Sequence, residues 1–229
     1  MFASEYRVTN DDADHVTILG PTGTGKTTLA MQIAELRRYV LVFGTKPKDA
    51  NLRALAKAGG FWPAPAPYAL PHPRLHPRAL VWPPYNAGRG KAAQAWHFRR
   101  LMSEAMEAGG WHLVLEEIPY LCRDLGLADE VRSWYTMARS VGAGVIGCAQ
   151  RPRWVPLECL SGAQHLIIFG TNDSDDLRRL GGLNGMDANV VRATVAGLGK
   201  RTYKFLHCNL TTGKIVVSRF DRPVTKGNR

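Results

Sequence analysis

A chain of 229 residues with 45% apolar and 21% charged side chains has the composition of a folded α/β domain and excludes a disordered polymer. No apolar run approaches the ~18 residues of a membrane-spanning helix, so no transmembrane segment is expected. The opening MFASEYRVTNDDADH lacks the basic-then-apolar pattern of a secretory leader. Cys122, Cys148, Cys159 and Cys208 lie far apart without a CxxC pair, which argues against a zinc site or a disulfide scaffold and makes a reducing cytoplasm the expected compartment. Thirty Lys and Arg against nineteen Asp and Glu leave a net charge of +11. Eight of those basic residues fall between Lys200 and Arg229, against Asp221 alone. A segment of this kind suits a polyanion, most simply nucleic acid.

After a polar arm over residues 1–14, His15–Leu19 reads as a buried strand, followed by a glycine-rich turn and a helix through TTLAMQIAELRR. Tyr39–Phe43 is a second strand and Asn51–Ala58 a short helix. From Phe61 to Tyr85 the chain is crowded with proline and aromatics and reads as an irregular insertion, in which only Ala79–Trp82 has strand character. Its aromatic rings are expected to pack the insertion onto the domain or a neighbouring copy rather than to stack on bases. Lys91–Ala108 is a helix stopped by Gly109-Gly110, and Trp111–Leu115 is a strand ending on Glu116-Glu117. A helix over Asp129–Ser140, strands at Gly144–Ala149 and His165–Gly170, and a helix over Ser174–Leu180 follow. Thr202–His207 and Lys214–Arg219 flank NLTTG and read as a β-hairpin. Strands alternating with helices predict an α/β fold, a mainly parallel sheet with helices on both faces. The predicted organisation is one domain over residues 15–199, with the proline-rich insertion at about 61–85, and a basic hairpin and tail over 200–229.

The turn between the first strand and the first helix, Gly20-Pro21-Thr22-Gly23-Thr24-Gly25-Lys26-Thr27, fits GxxxxGK[ST] throughout. Glycines let backbone amides curl around phosphate oxygens, and the helix N-terminus adds its dipole. The pattern predicts ATP with Mg²⁺: Lys26 on the β- and γ-phosphates, Thr27 on the metal, Thr28 at the α-phosphate. Such a site needs acid at the end of another buried strand, and LVLEE supplies it. Glu116 is assigned to the metal, and Glu117 to orienting or deprotonating the attacking water. Gln150 ends the buried strand GVIGCAQ, where an amide can touch both γ-phosphate and water.

GPTGTGKTT, LVLEE, ARSVGAGVIGCAQRPRWVP and HLIIFGTNDSDDLRRL together resemble the FtsK–HerA superfamily of P-loop ATPases. Within it, the chain is most similar to genome-packaging ATPases of tailless, internal-membrane phages and their relatives. The resemblance implies a RecA-like core with a strand inserted between the two Walker strands. It also implies a homo-oligomeric ring, pentamer or hexamer, that pumps double-stranded DNA and docks on portal or capsid vertex proteins. The implied location is the cytoplasm, that of the host for a virus, or the virion. Glu116 stands where the family usually has Asp. A ring ATPase of this type commonly completes its site with an arginine from the neighbouring copy, for which Arg139 is the first candidate, followed by Arg151 and Arg153. DNA contacts are expected from Asn86–Lys91, Arg151–Trp154 or the basic hairpin, mostly to the backbone. Two other functions fit a P-loop in a chain of this length: a kinase for a nucleotide or small metabolite, and an assembly protein that only binds nucleotide.

Overall fold

The computed structural model describes residues 13–65, 69–83, 90–180, 187–199 and 202–220. Most of the polar arm, residues 86–89 of one DNA-loop candidate, Lys200, Arg201 and the tail beyond Phe220 lie outside the described residues. Nine strands form one sheet: β1 (Val16–Leu19), β2 (Tyr39–Phe43), β3 (Trp62–Ala64), β4 (Arg78–Val81), β5 (Trp111–Leu115), β6 (Gly144–Ala149), β7 (His165–Phe169), β8 (Lys204–Asn209) and β9 (Ile215–Arg219). Their order is β3-β4-β2-β5-β6-β1-β7-β8-β9. The pairs from β3 through β7 are parallel, and only the β7–β8 and β8–β9 pairs are antiparallel. The predicted α/β class and mainly parallel sheet are therefore what the chain adopts. β6 lies between β1, which leads into the P-loop, and β5, which ends on the acidic pair, so the inserted strand implied by the family is present.

Alternation along the strands divides the core in two, because successive side chains in a strand face opposite sides of the sheet. Val16, Ile18, Val40, Val42, Val114 and Ile146 pack with α1 (Lys26–Ala34) and α2 (Ala50–Ala58). Leu19, Leu41, Leu113, Leu115, Val145 and Leu166 pack on the other face with α3 (Gly90–Ala108) and α4 (Ala128–Met137). Three more helices follow: α5 (Glu158–Ser161), α6 (Ser174–Leu180) and α7 (Ala188–Gly197). Among the described residues, no helix is long and apolar enough to cross a membrane.

The structure departs from the sequence reading in several places. The proline-rich stretch contains a second strand, β3, paired parallel to β4 with Trp62 opposite Ala79. Pro63 fits there because β3 is an edge strand, where a missing N–H breaks no interior pairing. The first helix ends at Ala34, and the fourth gives way at Met137 to a 3-10 turn over Ala138–Val141. The hairpin strand begins at Lys204 rather than Thr202, and its turn closes with Asn209 Oδ1 accepting from Thr211 N and Thr212 N, both at 3.0 Å. Helix α7 was not foreseen; valine-rich NVVRATVAG reads ambiguously, because β-branched residues favour strands. Asp187 starts that helix by accepting from Asn189 N and Val190 N, and Val191 and Val195 anchor it.

Candidate functional site

The P-loop lies at the C-terminal ends of the parallel strands. Gly20, Gly23 and Gly25 take φ values of +148°, +82° and +102°, a region that side-chain-bearing residues rarely adopt. Gly20 N donates to Ala149 O at 3.1 Å, so the start of the loop is pinned to the end of β6. Gly25 has a second reason to be glycine: a Cβ there would lie 2.4 Å from Phe220 Cζ. Within the loop, Thr24 Oγ1 donates to Pro21 O at 2.9 Å.

Lys26 is 8% exposed and folds over the loop, its Nζ donating to Gly20 O at 2.7 Å and Pro21 O at 3.0 Å. Burial pushes its ammonium below the usual lysine range, opposed by the nearby Glu117 and Glu116 carboxylates. Thr27 Oγ1 donates to Glu116 Oε1 at 3.3 Å, which joins the end of the P-loop to the end of β5. Glu116 is 6% exposed, and burial pushes its carboxyl up to about 7 against the pull of the Lys46 ammonium. Its Oε2 is buried and meets no hydrogen-bond partner among the described residues. An unsatisfied buried carboxylate oxygen beside a threonine hydroxyl fits a hard divalent cation such as Mg²⁺, which takes oxygen ligands. Thr27 and Glu116 are the residues that would hold it.

Glu117, half-buried, is held from the β6 side: Gln150 Nε2 donates to Glu117 Oε2 at 2.9 Å, and Thr22 Oγ1 donates to Gln150 Oε1 at 2.9 Å. One amide thus spans P-loop and acid. A π-helical turn over Tyr120–Asp124 follows Glu117 directly, its first amides donating to Glu117 O at 3.1 and 3.2 Å. The cavity enclosed by these groups measures about 290 Å³. The structure thus brings Thr22, Gly23, Gly25, Lys26, Thr27, Thr28, Glu116, Glu117 and Gln150 together around one cavity.

Four further residues line the cavity that the sequence reading left out: Lys46, Asp49, Asn51 and Tyr203. Lys46 follows β2 and donates to Asp49 Oδ2 at 2.8 Å. Burial works against its charge, but that hydrogen bond and the Glu116 carboxylate outweigh it and raise its pKa. A cation just beyond the buried strand YVLVF was the available signal. Tyr203 takes φ +56°, and it is the one non-glycine residue with positive φ among the described residues. Holding such a conformation costs about 1–3 kcal/mol.

The candidate arginines are not in this cavity. Arg139 sits in the 3-10 turn ahead of β6, at the opposite end of the sheet from the P-loop, with Nη2 4.0 Å from Asp14 Oδ1. It does not reach the cavity of its own chain. Arg151 is tied to Asp173 and, at 3.2 Å, to the buried Asp176; Arg153 Nη1 donates to Asp175 Oδ2 at 2.8 Å. Both fallback candidates are thus engaged by α6 of their own chain. Their guanidinium groups, with that of Arg123, lie 5.4–5.8 Å from the ring centre of half-exposed Trp154. Of Asn86–Lys91, Gly90 and Lys91 are described, and Lys91 Nζ donates to Asp124 Oδ1 at 2.6 Å.

No protein-family model and no curated protein matches the sequence. Solved structures match across nearly the whole chain. The genome packaging NTPase B204 from Sulfolobus turreted icosahedral virus 2, in complex with sulfate, superimposes with a TM-score of 0.68 at 16% identity, covering 92% of this chain and 98% of that one. The same protein in complex with ATP-gammaS gives 0.61 at 16% identity, over 93% and 98%. EssC (ATPases 2 and 3) from Geobacillus thermodenitrificans gives 0.54 at 11% identity, over 86% of this chain and 38% of that one. The chain therefore has the fold of these nucleotide-handling ATPases, in keeping with its resemblance to the FtsK–HerA superfamily.

Proposed function

We propose that the chain is a Mg²⁺-dependent ATPase that drives double-stranded DNA, as a genome-packaging motor working in a ring of identical copies. The observation that carries the hydrolytic part is the Thr22–Gln150–Glu117 bridge beside the Thr27–Glu116 pair: it sets a P-loop, a metal-suited acid and a second carboxylate around one cavity. A site that only binds nucleotide needs no second carboxylate. Bound Mg²⁺ supplies charge neutralisation across the phosphates. Lys26 exchanges the Gly20 and Pro21 carbonyls for phosphate oxygens when ATP enters, because an anion is the stronger partner for an ammonium. Glu117 then orients the attacking water and takes its proton. Gln150, already between Thr22 and Glu117, reports the presence of the γ-phosphate by changing its partners.

The DNA part rests on charge and on the name of the B204 relatives. The net charge of +11 and the basic C-terminal segment suit phosphate contacts that ignore sequence, as a motor moving any duplex requires. The ring rests on the family resemblance, and Arg139, at the far end of the sheet from its own P-loop, is the candidate to complete a neighbour's site. A cytoplasmic place of action and docking on a portal or capsid vertex protein belong to the same proposal. Phosphate release measured with and without duplex DNA tests it, alongside native mass in ATP and DNA. Hydrolysis stimulated by duplex, from a ring, is the expected result. Phosphate transfer to a nucleoside monophosphate, indifferent to DNA, would instead make the chain a kinase.

A further inference from the structure

We propose that Tyr203 is the nucleobase platform of this cavity, its ring stacking on the purine of the bound nucleoside triphosphate. This rests on the nucleotide-binding reading above and extends it to the part of the substrate that the P-loop does not touch.

Strand order gives the direction of the substrate. Glu117 and Gln150 leave β5 and β6, on one side of β1. Tyr203 leads into β8, on the other side of β1 beyond β7. The cavity joins all three with the P-loop at its centre. Since Glu117 and Gln150 attend the γ-phosphate, the chain of phosphates runs away from them along Lys26 to Thr28. The base is then carried towards the β8 side, where Tyr203 stands.

The chemistry at that end differs from the rest. Tyr203 is the one aromatic among the described residues lining the cavity; the others are loop glycines and threonines, carboxylates, lysines and amides. A purine presents a flat π face, and an aromatic ring is the partner that suits it. The ring is also built into place. It lies edge-on to Phe220 at 5.3 Å and 66°, and Phe220 lies edge-on to Phe169 at 6.1 Å and 82°. A Cβ added to Gly25 would meet Phe220 Cζ at 2.4 Å and Tyr203 Cδ1 at 3.2 Å, so both rings rest against the glycine immediately before Lys26. The platform is therefore fixed relative to the phosphate nest. Its backbone conformation, φ +56°, is one that glycine or asparagine adopts more easily. A bulky ring kept at such a position points to a use for the ring.

Titration of the full-length protein with Mg·ATP, Mg·CTP and Mg·tripolyphosphate tests this. The unsubstituted protein should bind ATP more tightly than CTP and more tightly than tripolyphosphate. Tyr203→Asn, which suits the left-handed backbone and removes the ring, should weaken ATP about tenfold, within the range for losing one base–aromatic stack. It should leave tripolyphosphate binding as it was, and Tyr203→Phe should restore the preference for ATP. Equal losses for ATP and tripolyphosphate would mean that the ring merely props the P-loop, and would overturn the proposal. So would an ATP affinity indifferent to Tyr203→Asn. Failure of the unsubstituted protein to bind either ligand would overturn the nucleotide-binding reading itself, a separate outcome from tight binding that ignores the base.

Discussion

Glu116 and Glu117 are adjacent, yet the fold gives them different surroundings, which suits them to the different work proposed for them. Glu116 is buried, its carboxyl pushed up to about 7 by burial, and it faces the Thr27 hydroxyl. Glu117 is half-buried and turned towards Gln150. Two neighbouring carboxylates facing different partners is how one site separates metal binding from proton transfer. Lys26→Ala is accordingly expected to abolish nucleotide binding, measured by titration with ATP. Glu117→Gln should bind ATP and lose turnover by about 10²–10⁴, the usual contribution of a positioned base. Full phosphate release by Glu117→Gln would move the base to Glu116.

Among the elements, the C-terminal hairpin carries the clearest charge arrangement. Lys204 and Arg219 are paired across β8 and β9, both exposed. Like charges directly opposite each other in a sheet destabilise it, and an anion lying along that edge relieves them. If the hairpin tracks the DNA backbone, Lys204→Gln with Arg219→Gln should lower the slope of log affinity against log salt by about two. Fluorescence anisotropy on a duplex over a range of salt measures it; an unchanged slope assigns the DNA face elsewhere. The turn Pro152–Trp154 is the other described candidate, but there Arg151 and Arg153 already meet α6 carboxylates.

At the scale of the molecule, the end of the sheet opposite the P-loop holds four buried histidines. His15 accepts from Val145 N at 3.1 Å, and His165 and His207 share a hydrogen bond of 3.1 Å. Burial holds His15, His112 and His207 at about 4, the positive charge of Arg139 acting on His15 and of Arg37 on His112, and it lowers His165 despite Asp14. An unfolded histidine takes its proton near 6.5, so between about 6.5 and about 4 the unfolded chain binds more protons than the native one. The histidines should therefore make stability fall as pH drops through that window, opposed in part by Glu116, whose raised carboxyl favours the native state there. Urea midpoints measured across the window check this, and the fall should be shallower for His207→Gln. A flat profile would mean the histidines titrate normally.

Arg139 lies at the same end. Arg139→Ala should bind ATP normally and hydrolyse it about 10³-fold or more slowly, the usual worth of an arginine supplied by a neighbour. Mixing it with Glu117→Gln should recover activity if the chain forms the proposed ring, since mixed rings would hold interfaces with one intact copy of each role. Inactivity at every mixing ratio, or normal hydrolysis by Arg139→Ala, removes Arg139 from the site.

The P-loop, the acidic pair and Gln150 were legible in the sequence because each sits at the end of a buried apolar run, and the parallel arrangement brings such ends to one edge of the sheet. The class of fold was legible for the same reason: alternating apolar runs and helical periods leave few ways to bury both faces. Strand β3 was hidden because an edge strand accepts Pro63, which the local pattern reads as a breaker. Helix α7 was hidden because its valines carry no period that a strand lacks. Lys46 had only its place just beyond a buried strand as a signal, and Asp49 and Tyr203 could not be assigned from spacing at all. Their roles come from pairings between distant segments: β2 beside β5, and β8 folding back along β7 so that the residue before it returns to the P-loop. The sequence by itself determined the phosphate and acid chemistry, which is carried by contiguous residues at strand ends. The tertiary structure alone decided which residues from distant segments complete the cavity around the P-loop and where the arginines stand relative to it, because those depend on the order of strands in the sheet.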